Sequence, residues 1–386
     1  MRIASATIYF VDLGISPSGS KRNPIILELV TIDGVTGAGE LGMAYGNGGR
    51  AAVTALAEAV EKFVIGHDCF STEKIYDELV RSSFWGLGGG PVWFGAISAI
   101  DEALWDIKGK LLGRPVYDLL GGPCRDELRV YANGWSRLKV EASEYEQAGA
   151  EIAERGFDAV KFDPFKVGLS GVDEHPIRSV SKRMERLSTE RLAAVRKGVG
   201  DDVDIIVEFH GNLWPKDAIR MGRLFQQFDP YFIEEPVDPF DATAMREVCN
   251  ALEAPIAAGE RLYSKYHVKP FLEAGAVQLL QPDLGLAGGL TEVKKIAALA
   301  ETHQVYIQPH NCGGPIATAA CVNLSFSIPN FLIQEMFPYW EDGRFNIVEE
   351  PLEYQIKGGR LHRDTKSGLG VTLNHDFLDR YKVVQI

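Results

Sequence analysis

DIIVEFHGN (204–212), YFIEEP (231–236), IAAGER (256–261), LLQPD (279–283), YIQPHN (306–311) and FLIQE (331–335) recur along the second half of the chain. Each is a short apolar run carrying an ionisable residue at its end: Glu208, Glu234, Glu260, Asp283, His310 and Glu335. The intervals between those residues are 26, 26, 23, 27 and 25. A strand, a loop, an amphipathic helix and a return loop need about that length, so the spacing predicts repeated βα units. If the units close into a (β/α)8-type barrel, all six residues stand at the C-terminal ends of strands three to eight. That is the face on which such barrels do chemistry.

Length and composition set the outer limits. At 386 residues the chain exceeds a single small core. A hydrophobic content of 46% with 24% charged residues is that of an ordinary globular protein. The net charge of −13 argues against a nucleic-acid surface, which needs a basic patch. Five scattered cysteines without a C-x-x-C pair suit reduced thiols better than a disulfide framework. The N-terminal MRIASATIYFVDL alternates like a strand and lacks the apolar core of a secretory signal. No window approaches the ~20 apolar residues of a membrane span. A cytoplasmic protein without membrane or nucleic-acid partners is expected, and a homo-oligomer is the expectation for assembly.

Residues 1–125 read as an α+β domain: strands Ile3–Val11, Ile25–Thr31 and Gly37–Glu40, then helices Arg50–Val64, Thr72–Ser82 and Phe94–Leu111. The loops Gly14–Pro24 and Gly42–Gly49 are rich in glycine, and the first should be exposed and mobile. Residues 126–344 read as the barrel. Strand one is Leu128–Ala132, strand two Ala159–Phe162, with a helix near Glu144–Arg155 between them and a long insertion over 163–183. Residues 345–386 form a C-terminal segment whose β-prone part, Leu352–Val371, is expected to pack back on the first domain.

Glu208, Glu234 and Glu260 would converge from three consecutive strands, about 4.7–4.9 Å apart. Three carboxylates so close need a counter-charge, and hard oxygen donors without cysteine favour Mg2+ over zinc. Asp283 and His310 also end neighbouring strands. A carboxylate on one ring nitrogen fixes the imidazole tautomer and makes the other nitrogen a competent base. His210, two residues beyond Glu208, falls on that ligand's side of the strand. Strands three and seven lie opposite in a ring of eight, so His210 and His310 should flank a substrate. Lys161, on strand two, adds a positive charge nearby.

At these residues the chain resembles the enolase superfamily, in its mandelate-racemase-like branch, along its whole length. The resemblance implies a (β/α)7β barrel with an N-terminal α+β capping domain completed by the C-terminal tail. It also implies Mg2+ on the three glutamates, an enediolate intermediate, and Glu335 donating a hydrogen bond to it. The loops 14–24 and 42–49 would cover the site and set specificity. Lys161-Phe162-Asp163 departs from the racemases' Lys-x-Lys, whose second lysine is the other base. Glu208-x-His210 is instead similar to sugar-acid dehydratases. The stretches YANGW (131–135), KFDPF (161–165), EFHGN (208–212) and LQPDL (280–284) look closest to arabinonate and, more distantly, galactonate dehydratases. The expected reaction is Mg2+-dependent dehydration of an aldonate or aldarate to a 2-keto-3-deoxy acid. In it His310, Asp283, His210, Glu335 and Lys161 are catalytic, and Lys161 and Asp163 contact the substrate. The alternatives are an epimerase, racemase or cycloisomerase using the same enediolate, and a catalytically silent sugar-acid-binding protein.

Overall fold

The computed structural model describes residues 1–15, 21–165, 178–339 and 343–386. Most of the expected insertion and the tip of the first covering loop (16–20) therefore lie outside the described residues. The chain opens with an antiparallel meander, β1 (Ile3–Phe10), β2 (Ile25–Thr31) and β3 (Thr36–Leu41). Helices α1 (Gly49–Phe63), α2 (Thr72–Arg81), α3 (Pro91–Leu112) and the single turn α4 (Val116–Leu119) follow. α3 starts three residues before the expected Phe94, because Pro91 takes the first helical position, where a missing N–H costs nothing. β3 packs flat on α3, with Gly39 facing the Ala99 carbonyl so closely that a β-carbon would have no room.

The barrel consists of β4 (Glu127–Ala132), α5 (Ala142–Glu154), β5 (Ala159–Phe162), α6 (Lys182–Val199), β6 (Asp204–Glu208), α7 (Pro215–Phe225) and β7 (Pro230–Glu234). It continues through α8 (Ala242–Ala251), β8 (Ile256–Ala258), α9 (Lys265–Ala274), β9 (Leu279–Leu280), α10 (Gly289–Thr302), β10 (Tyr306–Ile307), α11 (Pro315–Ser327) and β11 (Gln334–Met336). The strands run parallel in the order β10-β9-β8-β7-β6-β5-β4-β11. A bridge between Ile307 and Phe331 links β10 to the chain entering β11 and brings the ends of that row together. This is the (β/α)7β barrel. Its last strands are shorter than the apolar runs suggest, so Glu260, Asp283 and His310 lie two or three residues beyond β8, β9 and β10. Glu335 sits in the middle of β11 rather than at its end.

The tail touches both the barrel and the first domain. Within 352–371 the one strand is β12 (Arg360–His362), and it pairs antiparallel with barrel strand β4. After the short helix α12 (His375–Leu378), β13 (Lys382–Gln385) joins the meander on β1. Contact with α3 is made by Leu369, whose N–H donates to Asp106 Oδ1 at 2.8 Å.

Buried acids join the first domain to the barrel. Glu40 accepts from Gly314 and Ala317 N–H at the start of α11, at 2.5 and 3.2 Å. Asp101 accepts from Thr291 N–H and hydroxyl at the start of α10, at 2.9 and 2.5 Å. These contacts place carboxylates on the positive ends of helix dipoles. Burial still outweighs the Thr291 bonds and pushes the Asp101 carboxyl up to about 7. The fold therefore holds that proton more tightly than the unfolded chain does. The stability it contributes is full below the unfolded value of 3.8 and is lost as pH rises through about 7. Asp101→Asn cannot titrate there. The melting temperature of the wild type should fall relative to the variant's between about pH 4 and 7, and parallel curves would refute this.

Candidate active site

Alternation along the strands builds the site in layers. Tyr131, Ala159, Ile206, Phe232, Ala257, Leu279 and Ile333 form a buried apolar cluster, one residue from each of seven strands or strand entries. That cluster is the plug of the barrel. Two residues further on, with period two, stand Asn133, Lys161, Glu208, Glu234, Gly259, Gln281 and Glu335. The apolar floor thus gives way to a charged layer at the C-terminal face.

In that layer Lys161 Nζ donates to both Glu234 oxygens at 2.9 Å and to Glu335 Oε1 at 2.9 Å, with Glu208 Oε2 at 3.4 Å. Glu208 and Glu234 are register partners on β6 and β7. Burial, followed by the neighbouring Glu208, pushes the Glu234 carboxyl up to about 8. Burial also acts to raise Glu335, but Lys161 and the Asn311 N–H, which donates at 2.7 Å, hold it down to about 2. Asn133 donates to the same carboxylate at 2.7 Å. In the structure Glu335 accepts from Asn133, Asn311 and Lys161, and it anchors Lys161.

Gly259 takes the layer position on the β8 side, where a β-carbon would meet the Gln281 backbone at 2.7 Å. Glu260, one residue later, is set toward the histidine side. Its Oε2 lies 3.1 Å from His310 Nε2, and its Oε1 3.5 Å from Arg261 Nε. The Arg261 guanidinium also pairs with the fully buried Glu235. Sequence reasoning passed over Glu235, because two adjacent glutamates in YFIEEP look alike until the strand assigns them opposite faces.

One more step of two gives Asp163, His210, Asp283 and His310. Asp283 and His310 are bridged in parallel register. His310 is 3% exposed, and its Nδ1 lies 2.6 Å from Asp283 Oδ2. Burial lowers its affinity for a proton, yet Cys312, Glu260 and Asp283 together raise its pKa well above the ordinary value. His210 stands across the ring, on β6 against β10. Its backbone is in the left-handed region, φ 52°, a conformation that histidine tolerates better than most residues and that marks functional sites. It is fixed by its N–H to Glu208 Oε1 at 2.6 Å and by Arg261 Nη2 on its carbonyl at 3.0 Å. Burial opposes its protonation, but Glu208, the bond to Asp163 and Glu260 push it up to about 10.

Asp163, the other expected substrate contact, has partners within the chain. Its Oδ1 accepts from Phe165 N–H at 2.9 Å and its Oδ2 lies 2.9 Å from His210 Nδ1. The exposed character expected for the first loop does not extend to Arg22, which is 8% exposed and donates to the Cys312 carbonyl at 3.2 Å. The guanidinium lies 4.9 Å over the Tyr45 ring from the second loop. Both loops thus reach the His310 edge of the site.

His310, Cys312 and Glu335 are the metal-binding residue types that come within 4.8 Å of one another among the described residues. His310 Nδ1 and both Glu335 oxygens are already hydrogen-bonded. Glu208, Glu234 and Glu260, the expected cation ligands, are oxygen donors from successive strand ends, but their donor atoms are not brought within 4.8 Å of one another as those of the trio are.

Comparison with known proteins agrees with this architecture. Residues 144–377 match the enolase C-terminal domain-like family, and residues 15–121 match the mandelate racemase / muconate lactonizing enzyme N-terminal domain. The chain belongs to the enolase superfamily, in its mandelate-racemase-like branch. Among characterised relatives, a D-gluconate/D-galactonate dehydratase of Picrophilus torridus is 33% identical, over 98% of this chain and 93% of that protein. A D-galactonate dehydratase of Ralstonia pickettii is 36% identical, over 91% of this chain and 88% of that protein. A crystal structure of an enolase-superfamily member from Salmonella Typhimurium superposes with a TM-score of 0.93 at 33% identity. It covers 100% of this chain and 99% of that one.

Proposed function

We infer that this protein is a hydro-lyase that dehydrates a sugar acid to a 2-keto-3-deoxy acid. The observation that carries the reading is the Asp283–His310 pair at the C-terminal face, with His210 across the ring. In this reading His310, oriented through Nδ1 by Asp283, takes the proton from C2 with Nε2. Lys161, held in place by Glu335, faces the substrate carboxylate with a fixed positive charge. His210 gives its proton to the 3-hydroxyl as the C–O bond breaks, so that hydroxyl leaves as water while His310 holds the proton taken from C2. The resulting enol tautomerises to the keto acid.

Dehydratases of this superfamily are generally metal-dependent. Glu208, Glu234 and Glu260 would hold the cation, with Mg2+ preferred by their hard oxygens, and it would bind the substrate carboxylate and spread the charge left by deprotonation. Among the described residues no helix is long and apolar enough to cross a membrane, and a small-molecule substrate fits the enclosed face.

The test is a panel of aldonates and aldarates, D-gluconate and D-galactonate included, assayed for 2-keto acid formation; failure of every acid would overturn the reading. His210→Gln separates the steps. It keeps a hydrogen-bonding group but removes the acid, worth about 10²–10⁴-fold. Keto-acid formation should fall by that factor while C2 hydrogen still exchanges with D2O. Equal loss of both would make His210 structural. A wild type that returns the deuterated C2 epimer would be an epimerase.

A further inference from the structure

Asp283 and His310 have a counterpart that the reaction as written does not use. Counting two residues on from Lys161, Glu208, Gln281 and Gln308 gives Asp163, His210, Asp283 and His310, one from each of β5, β6, β9 and β10 or its extension. In both cases the carboxylate comes from the strand preceding the histidine's own. In both it lies against Nδ1, at 2.9 Å for Asp163–His210 and 2.6 Å for Asp283–His310. The two pairs stand four strands apart.

The support for Asp163 is as built as that for Asp283. Its Oδ1 closes a tight turn on Phe165 N–H. Phe165 is fully buried and packs edge-on against Phe209, the residue before His210, with centroids 5.0 Å apart. The buried Arg191 donates to the Pro164 carbonyl at 3.2 Å. One aromatic contact therefore fixes the carboxylate and the histidine relative to each other. His210 itself is 47% exposed, and Asp163 holds its Nδ1.

We propose that Asp163 is a positioning residue for His210, holding Nδ1–H so that Nε2 presents the proton to the departing hydroxyl. The proposal rests on the dehydratase reading and assigns Asp163 a part in only one half of it. A carboxylate on Nδ1 both selects the tautomer and supports the charged imidazolium that an acid must be before it reacts.

Asp163→Asn is the discriminating change. Its side-chain oxygen still accepts from Phe165 N–H, so the turn persists, but its amide nitrogen is a donor and cannot accept from Nδ1–H. With D-galactonate or D-gluconate in D2O, keto-acid formation should fall about 10–10²-fold, the range typical for losing an orienting partner, while C2 exchange stays within about threefold. In the His210→Gln background the same change should cost nothing further, because its effect passes through His210. Equal loss of exchange and dehydration, no loss, or an additive double variant would overturn the proposal. A second measurement needs no turnover. In the 15N-histidine-labelled wild type, a hydrogen-bonded Nδ1–H signal from His210 should appear beside those of His310 and His67, and it should vanish in His210→Gln. Its absence in the wild type, or its persistence in Asp163→Asn, would overturn the pairing. If no aldonate reacts, the dehydratase reading fails and the ring signal decides Asp163 alone.

Discussion

His310→Asn abolishes both water loss and exchange of the C2 hydrogen with solvent deuterium. The two processes share one abstraction, and the variant keeps a side chain of similar width that cannot accept a proton at Nε2. General-base removal costs about 10²–10⁴-fold, and His210 belongs to β6, across the ring. Asp283→Asn is milder, because the base remains but in a poorer tautomer with a weaker hold on its proton. The measurement is NMR of one substrate in D2O. Retained C2 exchange in the His310 variant would move the base elsewhere, with Lys161 the first residue to try next.

Exhaustive chelation silences the enzyme, and added Mg2+ restores it. Polarising a carboxylate is worth several kcal/mol, so loss of the cation should reduce the rate by at least about 10²-fold. Glu234→Gln reaches the same end with the volume conserved. Truncation to alanine is a poorer probe than a strand-end position suggests: Glu234 is 0% exposed and shares Lys161 with Glu335, so removing it takes one carboxylate from a buried ammonium and leaves a cavity. A readout independent of turnover is the melting temperature. Mg2+ should raise it in the wild type, as any ligand of the folded state does, and should not in Glu234→Gln. Full activity after chelation would remove the metal from the reaction.

The sequence determined the barrel, because βα repetition needs only local propensity and a period that survives in one chain. The six strand-end residues followed from that spacing, since a run ending on Glu, Asp or His places its polar group at the same face each time. It also placed Asp283 beside His310, as neighbouring repeats become neighbouring strands. Other features were decided between strands, where register and tilt set the outcome. Lys161 satisfying Glu234 and Glu335 depends on β5, β7 and β11 meeting inside the ring. Glu260 turning toward His310 depends on Gly259 having no β-carbon against Gln281. The hydrogen bonds that hold Glu335 come from donors 24 and 202 residues away, Asn311 and Asn133. Asp163 was legible only as a missing lysine and an expected substrate contact. Its pairing with His210 needed a left-handed backbone at His210 and two phenylalanines packed edge to face, neither of which has a period or a motif to announce it.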